Sequence, residues 1–190
     1  MKLTFEPLTA ERWADFERLF GERGACGGCW CMYWYRTRAQ FESGKGPGNQ
    51  RAMRAMVKKG PPPGLLAYDG DQPVGWCALA PRERYGTLAR SRVRAPIDDK
   101  PVWSVVCFFV RKDWRRRGLS VKLLKAAAEY VRDQGGRILE GYPEDPGRSL
   151  PDPFVYTGLV AAFEKAGFRE AARRGKRRPI MRRMLRPRRG

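Results

Sequence analysis

The sequence predicts an α/β (α+β) domain with parallel and antiparallel strands, and three observations support this prediction. An apolar run that ends at Val110 passes through a short basic loop into an amphipathic helix. A second apolar run, 137–141, follows that helix, and a strand, helix and strand of this length favour parallel neighbours. Residues 65–79 contain two apolar runs around an Asp69-Gly70 turn, which predicts an antiparallel hairpin.

The chain has 190 residues, of which 42% are hydrophobic, so it is long enough for one domain with a sizeable core. No linker rich in Pro or Ser divides it, and we expect a single domain over residues 1–190 that ends in a basic hairpin or tail. The charged start, 1–6, does not resemble a signal peptide, and every apolar stretch is too short to span a membrane. We therefore expect a cytoplasmic protein without membrane contact.

The remaining elements are predicted from spacing. Residues 49–59 carry an apolar stripe that indicates a short helix. The connection 81–100 exceeds ordinary loop lengths, which indicates a functional or mobile segment such as a lid. Apolar residues then recur at helical spacing from Leu119 to Val131, until Gly135-Gly136 ends the helix.

The loop before that helix has the composition of a phosphate-binding site. The first turn of a helix presents backbone N–H groups without intrahelical partners and the positive end of the helix dipole. Gly118 leaves room for a ligand near the backbone, and Arg115, Arg116 and Arg117 supply charge that complements a phosphate. The loop therefore predicts a phosphorylated cofactor.

The same loop resembles the acetyl-CoA motif of the GNAT superfamily of N-acetyltransferases, written Q/R-x-x-G-x-G/A after a strand that closes on Val. Arg115 and Gly118 match the motif, whereas Ser120 stands where Gly or Ala is usual. The segment 159–168 resembles the family's last helix, which ends in a Gly-Phe pair before a closing hairpin. The resemblance implies a mixed, mostly antiparallel twisted sheet, with two parallel central strands that splay apart, and about four helices.

The resemblance also implies acetyl-CoA as the cofactor and the residues that bind it. In the family, the pantetheine arm bonds to the backbone of the fourth strand, and the loop after that strand binds the diphosphate. The cofactor-binding residues implied in this way are Phe108, Phe109, Val110, Arg115, Arg116, Arg117, Gly118, Leu119 and Ser120. The Pro-rich stretch 143–153 is expected over the acceptor end of the cleft.

The absence of His excludes Ser-His-Asp and Cys-His catalysis but not direct acyl transfer from a thioester to an amine. By resemblance, we expect an N-acetyltransferase in which the amine of a small molecule or protein attacks acetyl-CoA in a ternary complex. Glu140 is the first candidate for the base, acting directly or through water, and its alternative is a solvated carboxylate at the strand end, while Glu83 is a weaker candidate. Phe163 stands where the family often has a Tyr acid. Tyr156 stands where the family often has an Asn, so it is either a polar catalytic group or a partly buried aromatic.

Segment 24–35 combines aromatic residues with cysteines. In the family it helps to form the floor of the acceptor site, so Trp30, Tyr33 and Trp34 are candidates for substrate contact or for core packing. The cysteines of the segment, which have C-x-x-C-x-C spacing, are Cys26, Cys29 and Cys31. Zinc binding and a reactive thiol pair remain alternatives, but a fourth ligand is missing nearby, so we expect packed, reduced thiols and no metal.

The net charge of +19 favours anionic partners, including the phosphates of CoA. Basic residues concentrate after Phe168, where 173–178 predicts a hairpin turn and 182–190 a basic end. A basic nucleic-acid-binding module built on an acetyltransferase-like fold is therefore the alternative function, beside a merely solvated Arg-rich surface. The expected partners are acetyl-CoA and an amine acceptor, with nucleic acid and a homodimer as further possibilities.

Overall fold

The computed structural model describes residues 3–145 and 155–187. In these ranges the strands are β1 (Leu3–Pro7), β2 (Gly64–Asp69), β3 (Gln72–Pro81), β4 (Trp103–Val110), β5 (Ile138–Gly141), β6 (Arg169–Arg173) and β7 (Pro179–Met184). The α-helices of the same ranges are α1 (Trp13–Phe20), α2 (Arg38–Ser43), α3 (Pro47–Lys59), α4 (Gly86–Ala89), α5 (Leu119–Asp133) and α6 (Val160–Lys165). Short 3-10 turns span Ala10–Arg12, Arg82–Arg84 and Lys112–Trp114, and a π-helical turn spans Gly24–Gly28.

The strands form one sheet in the order β1-β2-β3-β4-β5-β7-β6. Only β4 and β5 pair in parallel, and the other neighbours are antiparallel. This confirms the predicted mixed, mostly antiparallel sheet with a central parallel pair. The described residues hold six α-helices and a π-helical turn, where about four helices were expected. The additional ones include α2 and α4, which are too short to show an apolar stripe in the sequence.

Helices cover both faces of the sheet. On one face α5 buries the predicted stripe, which consists of Leu119, Leu123, Leu124, Ala127, Ala128 and Val131. This stripe and Phe163 of α6 belong to one core with Leu139 of β5, whereas α1 and α3 belong to a second core on the opposite face, with Trp76 and Val106. Because side chains alternate along a strand, Glu140 faces the α1 and α3 layer while Leu139 faces α5.

The connection 81–100, expected to be a lid, is folded and anchored. It buries Tyr85 and Leu88, and Arg174 of the β6–β7 turn donates hydrogen bonds to the carbonyl groups of Ala95 and Pro96. These contacts join the connection to the far edge of the sheet.

Strands β6 and β7 form an antiparallel hairpin in the basic segment, and β7 also pairs with β5 in the interior of the sheet. Residues 182–184 of the expected basic end therefore belong to a structural strand, while 188–190 lie outside the described residues, as does 146–153 of the Pro-rich stretch. In the described ranges, no helix combines the length and the apolarity that crossing a membrane requires.

Gly141 of β5 allows α6 to pack closely on the sheet. A Cβ at Gly141 would lie 2.1 Å from Cε1 of Phe163. We predict that Gly141→Ala lowers the free energy of unfolding by about 1–3 kcal/mol, because the ring and its helix must shift. A Cβ at Gly48 in α3 would meet nothing within 4 Å, so the control Gly48→Ala should leave stability unchanged or raise it by up to about 1 kcal/mol. Urea unfolding measures both variants, and equal stabilities would contradict the close packing.

Candidate active site

The sheet opens between its two parallel strands. The pairing of β4 with β5 ends at Val105 and Gly141. Residues 106–110 of β4 continue without a β5 partner. The two strands therefore separate, as the family resemblance implied, and leave one side of β4 accessible.

The backbone groups of β4 point alternately toward β3 and toward this opening. The Arg111 N–H donates to the Val74 carbonyl at 3.1 Å, so the antiparallel register directs the polar groups of Phe109 toward β3. The polar groups of Phe108 and Val110 consequently face the opening. Phe108, Phe109 and Val110 were predicted to bind the pantetheine arm, and of these only Phe108 and Val110 direct backbone groups into the opening.

Neighbouring segments already contact these groups. The Phe108 N–H donates to the Tyr156 carbonyl at 2.6 Å, and Arg115 Nε donates to the Val110 carbonyl at 3.2 Å. Residues 155–158 and the basic loop are thereby tied to β4. The Val110 N–H, like that of Phe108, points away from β3 and toward the opening.

The predicted phosphate-binding loop, residues 115–120, lies at the N-terminus of α5 and is called the cradle below. Gly118 precedes the helix with φ of 74°, and Arg116 has φ of 60°. Among the described residues, no backbone–backbone hydrogen bond is donated by the N–H groups of 116–120. A Cβ at Gly118 would meet nothing within 4 Å, and Arg115, Arg116 and Arg117 are exposed. The loop is therefore open, rich in donors and cationic, which fits a diphosphate.

The side chains of this loop differ in what they can contribute. The Arg117 guanidinium lies 5.4 Å from the centroid of the Trp114 ring, which supports it beside the cradle. Leu119 is buried in the core, so only its backbone can contact a ligand, and Ser120 is half-buried.

Aromatic side chains gather beside the opening on the α1 and α3 face. The ring centroid of Tyr156 is 6.5 Å from those of Tyr33 and Trp34. Trp34 is buried, while Tyr33 is 44% exposed and can contact a substrate directly. Trp30 does not join them, because it stacks on Phe20 in a separate buried group, with centroids 5.8 Å apart.

Tyr156 keeps its proton at neutral pH. Burial raises the pKa of Tyr156 to about 12, with smaller upward contributions from Tyr33 and Cys107 and opposing ones from Arg94 and Arg178. Its phenol is consequently a proton donor rather than a base over the physiological range.

Glu140 is fully buried at the closed end of the opening. Its Oε1 accepts hydrogen bonds from Arg82 at 3.0 Å and from the Tyr142 hydroxyl at 2.6 Å, and its Oε2 accepts one from Arg182 at 2.7 Å. Arg182 also donates to Asp98 at 2.7 Å, which lowers the pKa of that carboxyl. Two carboxylates and two guanidinium groups thus form a cluster with balanced charge. Glu140 is not the solvated carboxylate considered above, and its role as a base stays a prediction.

Two arginines beside Tyr156 were not identified from the sequence. The Arg94 guanidinium lies 5.1 Å from the Trp34 ring centroid, and Arg178 pairs with the buried carboxylate of Glu144 at 2.7 Å. Arg94 belongs to the expected lid and Arg178 to the basic turn, so only the folded chain brings them together. The weaker base candidate, Glu83, is exposed.

The cysteines of 24–35 are free thiols in different environments. Cys26 is exposed, and Cys31 is buried and accepts a hydrogen bond from Trp76 Nε1 at 3.2 Å. Burial raises the pKa of the Cys29 thiol, which disfavours a reactive thiolate. In the ranges 3–145 and 155–187, no three His, Cys, Asp or Glu side chains are placed to hold one metal ion.

Solved acetyltransferases share this fold along nearly the whole chain. The PaiA N-acetyltransferase from Thermoplasma acidophilum, solved with coenzyme A, has a TM-score of 0.54 at 13% identity and covers 97% of this chain and 100% of its own. An acetyltransferase from Thermus thermophilus has a TM-score of 0.52 at 18% identity, with 97% and 98% covered. The aminoglycoside acetyltransferase AAC(6')-Ib, in complex with coenzyme A, has a TM-score of 0.52 at 16% identity, with 96% and 95% covered. The chain therefore has the fold of these acetyltransferases.

The family follows from the sequence itself. The acetyltransferase (GNAT) family model matches residues 29–145, which is more than half of the chain. The chain therefore belongs to the GNAT acetyltransferase family, and the resemblance seen in the cofactor motif is confirmed. No curated protein matches the sequence.

The charge cluster around Glu140 should stabilise the centre of the sheet. We predict that Glu140→Ala lowers the free energy of unfolding by about 3–5 kcal/mol, because Arg82 would lose its carboxylate partner while Arg182 keeps only Asp98, which leaves one largely buried positive charge unpaired. The control Glu170→Ala removes an ion pair with Arg173 on the exposed β6 strand and should change stability far less. Urea unfolding compares the two variants, and similar losses would mean that the cluster does not support the sheet. Glu140→Gln keeps the size of the side chain but removes the same charge, so it should also lose stability, and the base role predicts in addition a large loss of kcat in the folded variant.

Proposed function

We propose that this protein is an acetyl-CoA-dependent N-acetyltransferase that transfers the acetyl group to an amine by direct attack in a ternary complex. The observation that carries the proposal is the set of N–H groups at 116–120, which donate no backbone hydrogen bond within the described residues and lie next to an opening that exposes backbone groups of β4. Solved neighbours that contain coenzyme A support the cofactor, and the aminoglycoside acetyltransferase supports an amine acceptor.

The residues that would hold acetyl-CoA are those of the cradle and of the side of β4 that has no β5 partner. Acetyl-CoA supplies an acetyl group activated as a thioester and a thiol as leaving group. The N–H groups of 116–120, with Arg115, Arg116 and Arg117, bind the diphosphate. The backbone of Phe108 and Val110 faces the pantetheine arm. The Val110 N–H offers a donor there without breaking the bond between Phe108 and the Tyr156 carbonyl.

The acceptor side supplies the proton for the leaving group. Tyr156, which is protonated at neutral pH, donates its phenolic proton to the departing thiolate and regains one from solvent. Tyr33 and Trp34 line the path of the amine. The proton that the amine loses as its new bond forms goes to water, or to Glu140 through the Tyr142 hydroxyl, 2.6 Å from its Oε1.

The cradle is tested by placing a carboxylate in it. We predict that Gly118→Asp weakens acetyl-CoA binding at least tenfold, because the added charge and side chain stand where the diphosphate is held. Isothermal titration at low salt measures the dissociation constant.

Gly135→Asp is the matched control for this variant. Gly135 lies beyond the opposite end of α5, is exposed like Gly118 and has φ of 79° against 74°. The control therefore adds the same charge and the same backbone strain away from the cradle, and it should bind acetyl-CoA like the unchanged protein. Equal affinities of the two variants would contradict the proposed cradle.

The role of Tyr156 as the proton donor is tested by removing its phenolic oxygen. We predict that Tyr156→Phe lowers kcat at least tenfold and leaves acetyl-CoA affinity unchanged, because the carbonyl that bonds Phe108 is retained. Because burial raises the pKa of Tyr156 to about 12, its deprotonation should not lower kcat of the unchanged enzyme between about pH 7 and pH 10. Tyr130→Phe, on α5 beside Trp103, is the control. Unaltered kcat in Tyr156→Phe would remove the assignment.

A further inference from the structure

Arg94 carries a buried charge that nothing in the described chain neutralises. The residue is 8% exposed, and its Nε is buried without a hydrogen-bond partner. Among the described residues its guanidinium has no ion pair, and its contact is with the ring of Trp34, 5.1 Å away. An aromatic face compensates a buried cation only in part. Buried charges in folded proteins are normally paired, so this one indicates an absent anion.

The described groups around Arg94 do not supply that anion. Glu144 is near, but its carboxylate pairs with Arg178 at 2.7 Å. Burial, followed by the repulsion of Arg178, lowers the pKa of Arg94. Tyr156, also nearby, is a neutral phenol at physiological pH. Two guanidinium groups therefore face one carboxylate, and one positive charge is left over.

Arg94 is held in place by its backbone. Its N–H donates to Ser91 Oγ at 3.3 Å, and its carbonyl accepts a hydrogen bond from Arg82, which is bound to Glu140. The backbone of Arg94 is thus tied to the cluster at the closed end of the sheet, and its guanidinium lies against the Trp34 ring. Preorganisation of this kind reduces the cost of binding a ligand.

A basic concavity opens next to Arg94. It has a volume of about 270 Å³ and is lined by Val93, Gly175, Lys176, Arg177 and Arg178. Val93 is exposed and directly precedes Arg94 in the chain. An anionic molecule that approaches along this surface meets positive charge before it reaches the aromatic residues around Tyr156.

We propose that Arg94 binds a carboxylate of the acceptor, so that the substrate is an amine that also carries a carboxylate group. The inference rests on the proposed acetyltransferase function and names its substrate class. A guanidinium offers two parallel donors that match the two oxygens of a carboxylate. Trp34, Tyr33 and Tyr156 then contact the part of the acceptor between its carboxylate and its amine.

The substrate class is tested with acceptors that differ in one group. The twenty L-amino acids and the corresponding amino-acid amides are compared as acceptors by kcat/KM. The amides have the less basic amine and are more often deprotonated at pH 7.5, so intrinsic reactivity favours them. We expect the reverse order, with the best acid at least tenfold better than its amide. Amides that react as well as the acids would overturn the proposal.

The role of Arg94 itself is tested with Arg94→Met, which keeps a long side chain against Trp34. This variant should abolish the preference for acids, mainly through KM, and should bind acetyl-CoA with unchanged affinity. Its melting temperature should stay the same or rise, because an unpaired buried charge is removed. Arg92→Met removes an exposed charge two residues away and should keep the preference. An equal loss with acids and amides in Arg94→Met would mean that the residue is only structural. If Arg94→Met does not fold, Arg94→Lys, which retains charge but not the paired donors, replaces it with the same expected loss of preference.

A binding measurement separates this inference from the acetyltransferase function. N-acetylglycine, N-acetylglycinamide and inorganic phosphate have no reactive amine, and their binding is followed by titration calorimetry. We expect N-acetylglycine alone to bind and Arg94→Met to abolish its binding, even if the protein should fail to bind acetyl-CoA. Tighter binding of phosphate, or binding of N-acetylglycine that persists in Arg94→Met, would overturn the carboxylate assignment. Failure of acetyl-CoA to bind would instead overturn the proposed function.

Discussion

The candidate site exists because β4 and β5 stop pairing after a short parallel ladder. β5 ends at Gly141, and Pro143 has no N–H with which to extend the ladder. The chain then pairs with a later segment, as the Glu144 N–H donates to the Gly158 carbonyl at 2.9 Å. β4 continues without a parallel neighbour, so its backbone groups need partners from elsewhere. A fully closed sheet would leave no unpaired strand edge for a cofactor arm.

Charge is balanced at one end of this opening and unbalanced at the other. At the closed end, Glu140 and Asp98 face Arg82 and Arg182, and their mutual hydrogen bonds fix the ends of the strands. Beside the aromatic residues, by contrast, Arg94 pairs with no carboxylate of residues 3–145 and 155–187. A balanced buried cluster is satisfied within the fold, whereas an unbalanced one has an affinity for an external ion. The same types of side chain thus serve architecture in one place and recognition in the other.

Features encoded by neighbouring residues could be predicted from the sequence, and these include the β2–β3 hairpin, the α5 stripe and the basic loop. The surroundings of Glu140 could not, because Arg82 and Arg182 lie 58 and 42 positions away in the chain. The different locations of Trp30 and Trp34 were also hidden. Trp30 has φ of 42°, a left-handed conformation that turns the chain between two similar residues and sends them to different packing groups. Only the backbone path separates the core aromatic from the one beside Tyr156.

The high net positive charge and the buried guanidinium of Arg94 act at different ranges. A net charge of +19 attracts the phosphates of CoA and any anionic acceptor, but salt screens exposed charges beyond about 8 Å under physiological conditions. Such a field raises the rate at which anions encounter the protein, but it does not discriminate between different anions. Selection requires a site from which water is largely excluded, where each unpaired charge has a large energetic effect. Arg94 is in such a place, whereas the arginines of the β6–β7 turn are mostly exposed to solvent. The basic surface therefore brings anions to the opening, and the buried guanidinium decides which of them is held next to the acetyl donor.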